Sequence, residues 1–192
     1  MLIDHSTKSS EKILQAAFTV LSRQGYENTS IKDIAEEAGV AQGLVHYYFK
    51  SKQLLVLAVL EFVCEKVQYG TMGEAGALEA FAQSKAMLRD PASRDANGLY
   101  IQLIGFGMRD PVIGNGVRQF ITTERNHIAD LAGQVLTERG QDARRAGGIA
   151  GVVWAAVLGI MIQGLVDPEF DTDEAIDTLA EMSLTATFGG ER

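Results

Sequence analysis

The sequence has few of the residues that cross-link a chain, bind metals or interrupt helices: one cysteine, three histidines and three prolines among 192 residues. A single cysteine, Cys64, cannot form an intrachain disulfide and is typical of a reducing compartment. The histidines, His5, His46 and His127, lie far apart and lack the spacing of metal ligands. Since catalytic motifs are lacking too, we expect no metal, no cofactor and no catalytic residues. A small all-α enzyme is kept only as an alternative.

Strand-like alternation and an export signal are also lacking. Apolar residues recur at helical spacing along the whole chain, which predicts an all-α fold. The first residues contain no apolar run of signal-peptide length, so we expect a cytoplasmic protein.

Four helices are predicted at the N-terminal end. The first covers about 9–24 and ends at Gly25, which suits a left-handed cap. Ser30 begins a short helix, with Asp33 completing an approximate capping box, and Gly39 supplies a tight turn. A third helix covers about 42–48, and a fourth runs from Ser51 or Lys52 to about 68. Two short helices joined by a glycine-containing turn are typical of a helix-turn-helix.

The third helix has two different faces. Val45 and Phe49, four residues apart, are expected to anchor it to the core. The other face carries polar, aromatic and small residues that suit a major-groove reader: Gln42, Gly43, His46 and Tyr47.

The charge distribution limits the nucleic-acid contact. The net charge is −8, yet residues 1–52 contain six basic and six acidic residues, so the excess negative charge lies beyond residue 52. An acidic body repels DNA, and the contact is therefore expected to be small and confined to the neutral N-terminal part.

The run TSIKDIAEEAGVAQGLVHYYFKSKQLL, residues 29–55, resembles the signature of the TetR family of transcriptional regulators. The resemblance implies about nine helices, with a DNA-binding head at 1–52, a connecting helix at about 52–69, and an effector-binding and dimerisation body at 53–192. It also implies a homodimer that represses from a palindromic DNA operator and is released when a small, largely apolar effector moves the heads apart. A helix-turn-helix does not fix the sign of regulation, so activation stays open.

The same resemblance and the helix faces select the DNA-contacting residues. Ala41 stands where the family often has a Ser or Thr cap, and His46 stands where a tyrosine is common. Lys52 is expected to clamp a phosphate, and Gln42 to reach a base edge or a phosphate. The complete predicted set is Thr29, Ser30, Gln42, Gly43, Leu44, His46, Tyr47, Tyr48 and Lys52.

Five further helices are predicted at 74–89, 95–108, 112–138, 142–166 and 172–188, separated by proline- or glycine-containing breaks. Residues 146–166 are as long and apolar as a membrane span. A membrane-tethered regulator is therefore an alternative, but we expect no membrane association. A homodimer would cover this segment through 142–166 and 172–188. By family analogy the body holds an effector pocket, for which the candidate residues are Phe81, Tyr100, Phe106, Phe120, His127 and Trp154.

Overall fold

The computed structural model describes residues 7–64 and 73–186, and within these ranges it contains nine α-helices and no strand. The all-α prediction is confirmed. The helices are α1 (Lys8–Asn28), α2 (Ile31–Ala38), α3 (Gln42–Tyr48), α4 (Lys52–Cys64), α5 (Gly73–Arg89), α6 (Pro91–Gly107), α7 (Pro111–Glu138), α8 (Ala146–Val166) and α9 (Thr172–Ala186).

Two helix starts differ from the predictions by about four residues. The helix α6 begins at Pro91, because a proline at the first helical position lacks only an N–H that would be unpaired there anyway. The helix α8 begins at Ala146 instead of 142, since Asp142 caps a short 3-10 turn that precedes it. The predicted ends of the fourth and ninth helices, at about 68 and 188, lie outside the described residues.

The first helical segment of α1 ends at Gly25, as predicted, but Gly25 does not form a left-handed helical cap. Its φ of 77° is positive while its ψ is 168°, and a further helical turn follows this kink and ends at Asn28. Only glycine enters this region readily. The kink brings the backbone N–H of Tyr26 to 3.5 Å from Oε1 of Gln102, which accepts its hydrogen bond.

Residues 7–64 and 95–119 belong to one compact unit, which we call the first unit. Its core is formed by the apolar faces of the first four helices and by residues of α6 and α7. A Cβ atom on Gly116 would lie 2.4 Å from a methyl group of Leu57, so a larger residue there would force the Leu57 side chain to move. The predicted domain division after residue 52 stays a prediction. The most deeply buried large side chains of the unit are Ile13, Leu21, Ile34, Phe49, Leu55, Leu60, Leu99, Leu103 and Ile113.

Residues 73–94 and 120–186 belong to the second unit. Here α5 packs against α8 and α9 around Ile160, Ile176 and Leu179. Two ion pairs, Lys85–Asp177 and Arg89–Asp173, also join α5 to α9.

The helix α8 exposes much of its apolar surface. With the turn before it, it is long and apolar enough to cross a membrane, and only 22% of its most apolar stretch is buried. Five exposed residues and the half-buried Gly159 recur at intervals of three and four and form one stripe: Gly148, Val152, Ala155, Gly159, Ile162 and Val166. Val152 is 69% exposed and Val166 is 78% exposed. We call this surface the α8 stripe.

Candidate DNA-binding interface

The turn between α2 and α3 has the geometry that its sequence predicts. Gly39 adopts a left-handed conformation, with φ of 59° and ψ of 41°, and its N–H donates to the carbonyls of Ala35 and Glu36. The N–H of Val40 then donates to the carbonyl of Ala35 at 2.9 Å. This pattern satisfies the last carbonyls of α2 and reverses the chain within a few residues.

The capping box at the start of α2 is present as predicted. The backbone N–H and the hydroxyl of Ser30 donate to the Asp33 carboxylate at 2.8 and 2.7 Å, and the Asp33 N–H donates to the hydroxyl at 3.2 Å. These hydrogen bonds favour the ionised form, so the pKa of Asp33 lies below its usual range.

A first prediction follows from the lowered pKa of Asp33. Because its folded-state pKa is depressed, the carboxylate stabilises the fold above the ordinary aspartate range, and this contribution is lost as pH falls through the folded pKa. Asp33→Asn should lower the denaturation midpoint at neutral pH, and the difference from the parent protein should shrink in acid. Urea unfolding at several pH values measures it.

Glu36→Gln is the matched control for Asp33→Asn, because it also removes one negative charge from α2 and its carboxylate only meets Lys32 at an exposed position. We expect a smaller change at neutral pH. An equal loss of stability in the two variants would show that the hydrogen bonds of the capping box add no stability beyond the effect of removing one negative charge from α2.

The two faces of α3 are separated as predicted. Val45 is fully buried and Phe49, which follows the helix, is 2% exposed, so these residues fix α3 to the core. Gln42, Gly43, His46 and Tyr47 all lie at the surface, and Tyr47 is 65% exposed. A Cβ atom on Gly43 would meet nothing within 4 Å, so nothing in the described part of the chain requires glycine at that position. The expected missing cap is also observed, since Ala41 precedes the helix without a side-chain hydrogen bond.

Thr29 does not belong to the exposed surface. The residue is 3% exposed, and its hydroxyl donates to the carbonyl of Gly25 at 2.7 Å. Its side chain therefore caps the end of α1, and we withdraw its predicted role as a phosphate donor. Ser30 is exposed, with its hydroxyl hydrogen bonded to Asp33.

Tyr48 and Leu44 are half-buried beside the exposed face of α3. The hydroxyl of Tyr48 accepts a hydrogen bond from Thr7, the residue that caps α1, at 3.1 Å. Its ring packs edge-on against Tyr47, with centroids 5.3 Å apart. Tyr48 therefore holds the orientation of Tyr47 and ties α3 to the start of α1.

Two lysines lie next to this aromatic surface. The ammonium group of Lys52 lies 4.2 Å from the ring centroid of Tyr26, and it donates to the carbonyl of Glu27 at 3.5 Å. Partial burial lowers the pKa of Lys52, and the negative charges of Glu27 and Asp33 oppose this shift. Lys50 was not among the predicted DNA-contacting residues. Its ammonium group donates to the carbonyl of Tyr47 at 3.1 Å and lies over the Tyr47 ring. Lys50 follows Tyr47 by three residues, and this spacing could have indicated that the two side chains lie together.

The second unit contains a cavity of about 90 Å³. We call it the second-unit cavity. It is lined by Ala77, Ala80, Phe81 and Ser84 of α5, Ile128, Leu131, Ala132 and Val135 of α7, Ile149, Val153, Trp154 and Val157 of α8, and Ser183 and Leu184 of α9.

Only some of the predicted effector residues meet at this cavity. Phe81 and Trp154 line it, and the ring of Phe120 packs edge-on against Trp154 with centroids 6.3 Å apart. His127 is exposed. Tyr100 and Phe106 lie in the first unit, where Phe106 packs on Tyr26 with centroids 4.9 Å apart. Their assignment to the effector pocket stays a prediction.

Comparisons with known proteins agree with the geometry of the N-terminal helices. The family model described as bacterial regulatory proteins, tetR family, matches residues 13–59, which cover the helix-turn-helix and parts of α1 and α4. The HTH-type transcriptional regulator CymR of Pseudomonas putida is 25% identical over 166 residues, which are 84% of this chain and 82% of that protein.

Solved structures share the fold over almost the whole chain. A putative transcriptional regulator from Pseudomonas aeruginosa PAO1 matches with a TM-score of 0.76 at 20% identity, covering 93% of this chain and 90% of that one. The regulator FadR from Bacillus subtilis, solved with stearoyl-CoA, matches with a TM-score of 0.65 at 15% identity, covering 91% and 97%. These relatives are transcriptional regulators rather than enzymes. The family match over residues 13–59, the relative aligned over 84% of this chain and the helix-turn-helix geometry together support a DNA-binding transcriptional regulator of the TetR family.

Proposed function

We propose that two copies of this chain bind a palindromic DNA operator and repress transcription until a small, largely apolar effector enters the second-unit cavity. The observation that carries the DNA-binding part is the exposed face of α3, which presents Gln42, Gly43, His46 and Tyr47 from a helix anchored by Val45 and Phe49. A rigid helix with short polar and aromatic side chains on its outer face fits the major groove.

Around this face, Lys50, Lys52 and Ser30 would contact the phosphates. Lysine ammonium groups and exposed hydroxyls position a protein on the duplex without reading the sequence. Lys50 and Tyr47 already lie together, with the ammonium group 5.7 Å from the ring centroid. The ring and the charge would therefore approach the backbone as one group. A dimer bound over a promoter would exclude polymerase and so repress transcription.

Dimerisation would cover the α8 stripe. No described residue lies within 4 Å of a Cβ placed on Gly148 or Gly159, although an internal helical glycine costs about 1 kcal/mol relative to alanine. Close approach of a second α8 would account for small residues at these positions. Met182 on α9 is 65% exposed and is a second apolar side chain that a dimer through α8 and α9 could cover. This arrangement also explains the exposed apolar surface without a membrane.

Effector control is supported by the cavity and by the relatives. FadR was solved with stearoyl-CoA, and another matching regulator was solved with choline, so chains of this fold accept very different ligands. A ligand that prefers the released state over the DNA-bound state would shift the population, and no further device is required.

Selection from a random DNA pool by the full chain tests the DNA-binding proposal. We expect an inverted repeat whose half-sites lie about 10 base pairs apart, or a multiple of that spacing, because two symmetric heads must reach the same side of the helix. A promoter carrying the recovered sequence should drive a reporter less strongly when the protein is present. Recovery of no enriched sequence, or of unpaired half-sites only, would contradict the dimeric operator.

A further inference from the structure

We infer that the second-unit cavity takes a small, uncharged ligand with a hydrogen-bond acceptor for the indole N–H of Trp154. This inference rests on the proposed effector control and states the chemistry of the effector. The lining contains aliphatic and aromatic side chains, two serines and Trp154, and no charged side chain among the described residues. A charged ligand would lose its hydration in such a cavity without gaining a partner.

The polar groups of the lining point to an acceptor on the ligand. The hydroxyl of Ser84 already donates to the carbonyl of Ala80 at 2.9 Å. The indole nitrogen of Trp154 is buried and has no hydrogen-bond acceptor among the described residues. Buried donors in folded proteins nearly always have a partner, and a ligand carbonyl or ether oxygen would supply one here.

The partner copy of a dimer would not supply this acceptor. The α8 stripe contains positions 152 and 155, whereas the cavity is lined by Val153, Trp154 and Val157 of the same helix. With 3.6 residues per turn, Trp154 lies on a different side of α8 from the centre of the stripe. A second α8 packed on the stripe would therefore approach the helix from a side other than that of Trp154.

Three cations of the second unit have described partners outside the cavity. Arg139 donates to the carbonyl of Leu184 at 2.8 Å and does not line the cavity. Lys85 and Arg89 of α5 form ion pairs with Asp177 and Asp173. None of these three cations lines the cavity, so a carboxylate or phosphate held within it would lose its hydration without meeting a positive charge.

The size of the cavity sets the size of the probe. Its volume of about 90 Å³ is below the roughly 150 Å³ of an engineered cavity that holds benzene, so a five-membered ring is a suitable probe. Cyclopentanone carries one acceptor, methylenecyclopentane has the same shape without it, and cyclopentanecarboxylate adds a negative charge.

The test compares the three probes on the full chain and on Trp154→Phe, which keeps an aromatic ring and removes the N–H. Ligand-dependent shifts of the melting temperature give affinities for both proteins. Since Trp154 is the only tryptophan, its fluorescence reports directly on binding to the parent protein. We expect Trp154→Phe to weaken cyclopentanone binding about tenfold and to change methylenecyclopentane binding less than about twofold.

Ala132→Leu provides the second variant, because a larger side chain in the lining should abolish binding of both neutral probes. The inference is overturned if cyclopentanone binds equally well to Trp154→Phe, if the carboxylate binds the parent protein at least as tightly as the ketone, or if no probe binds at its solubility limit. Any of these results leaves the DNA selection unaffected. If the DNA selection fails but the probes bind as expected, the proposed regulation is rejected and the inferred chemistry of the cavity stands.

Discussion

Tyr47→Ala should weaken operator binding by about 30-fold or more while the chain stays folded and dimeric. A side chain that contacts DNA contributes about 1–3 kcal/mol, and a symmetric dimer loses that contact twice, so even the lower value gives about 2 kcal/mol. Tyr47 is 65% exposed, and removing its ring leaves the buried anchors Val45 and Phe49 in place. The loss should therefore appear in affinity and not in stability.

A mobility shift with the selected operator measures the affinity of Tyr47→Ala, and sedimentation and thermal melting check the dimer and the fold. His127→Ala is the control, because it removes an exposed ring from the second unit. Without effector, we expect the control to bind like the parent. Parental affinity in Tyr47→Ala would reject this face of α3 as the DNA-binding surface.

The salt dependence of operator binding tests whether Lys52 contacts a phosphate. If Lys52 contacts one phosphate in each head, Lys52→Ala should reduce the slope of log K against log salt by about two per dimer. The ammonium group of Lys52 lies 4.2 Å from the ring centroid of Tyr26. To contact a phosphate, it must either leave this ring or contact the ring and the phosphate together. An unchanged slope would mean that Lys52 only stabilises the packing around Tyr26.

The α2–α3 region could be predicted because its signals are local. Ser30 with Asp33, Gly39, and Val45 with Phe49 each act within four residues, and all of them are found in the expected geometry. Thr29 could not be placed in this way. It stands next to Ser30, and two adjacent hydroxyls give no sign of which one faces inward. Thr29 faces inward because its hydroxyl donates a hydrogen bond to the carbonyl of Gly25 at the kink in α1.

The effector residues depended on contacts between distant helices, which periodicity does not reveal. An apolar face shows that a helix packs against something, but not which helix it packs against. Phe106 therefore looked equivalent to Phe81, yet it packs on Tyr26 of α1. Trp154 was identified as a candidate by its residue type alone. That no described residue accepts a hydrogen bond from its buried N–H depends on how the neighbouring helices pack, which the sequence does not show.

Val152→Glu should convert the dimer into monomers and reduce operator affinity by about 10²–10⁴-fold, the usual gain from binding through two linked heads. Val152 is 69% exposed in the single chain, so a glutamate there should be hydrated and should not disturb the fold. In a dimer packed through the α8 stripe, the same carboxylate would be buried twice without a cation, and burial of an unpaired charge is strongly unfavourable.

Met108→Glu is the matched control for Val152→Glu, since Met108 is 81% exposed and belongs to the first unit. Both variants add one negative charge to an apolar surface position, so a general electrostatic repulsion of DNA would affect them alike. Sedimentation should show monomers for Val152→Glu only, with parental melting of its helices at low concentration. A stable Val152→Glu dimer would place the interface elsewhere. Monomers with full operator affinity would show that one neutral head suffices, which contradicts the need for two heads inferred from the uneven charge.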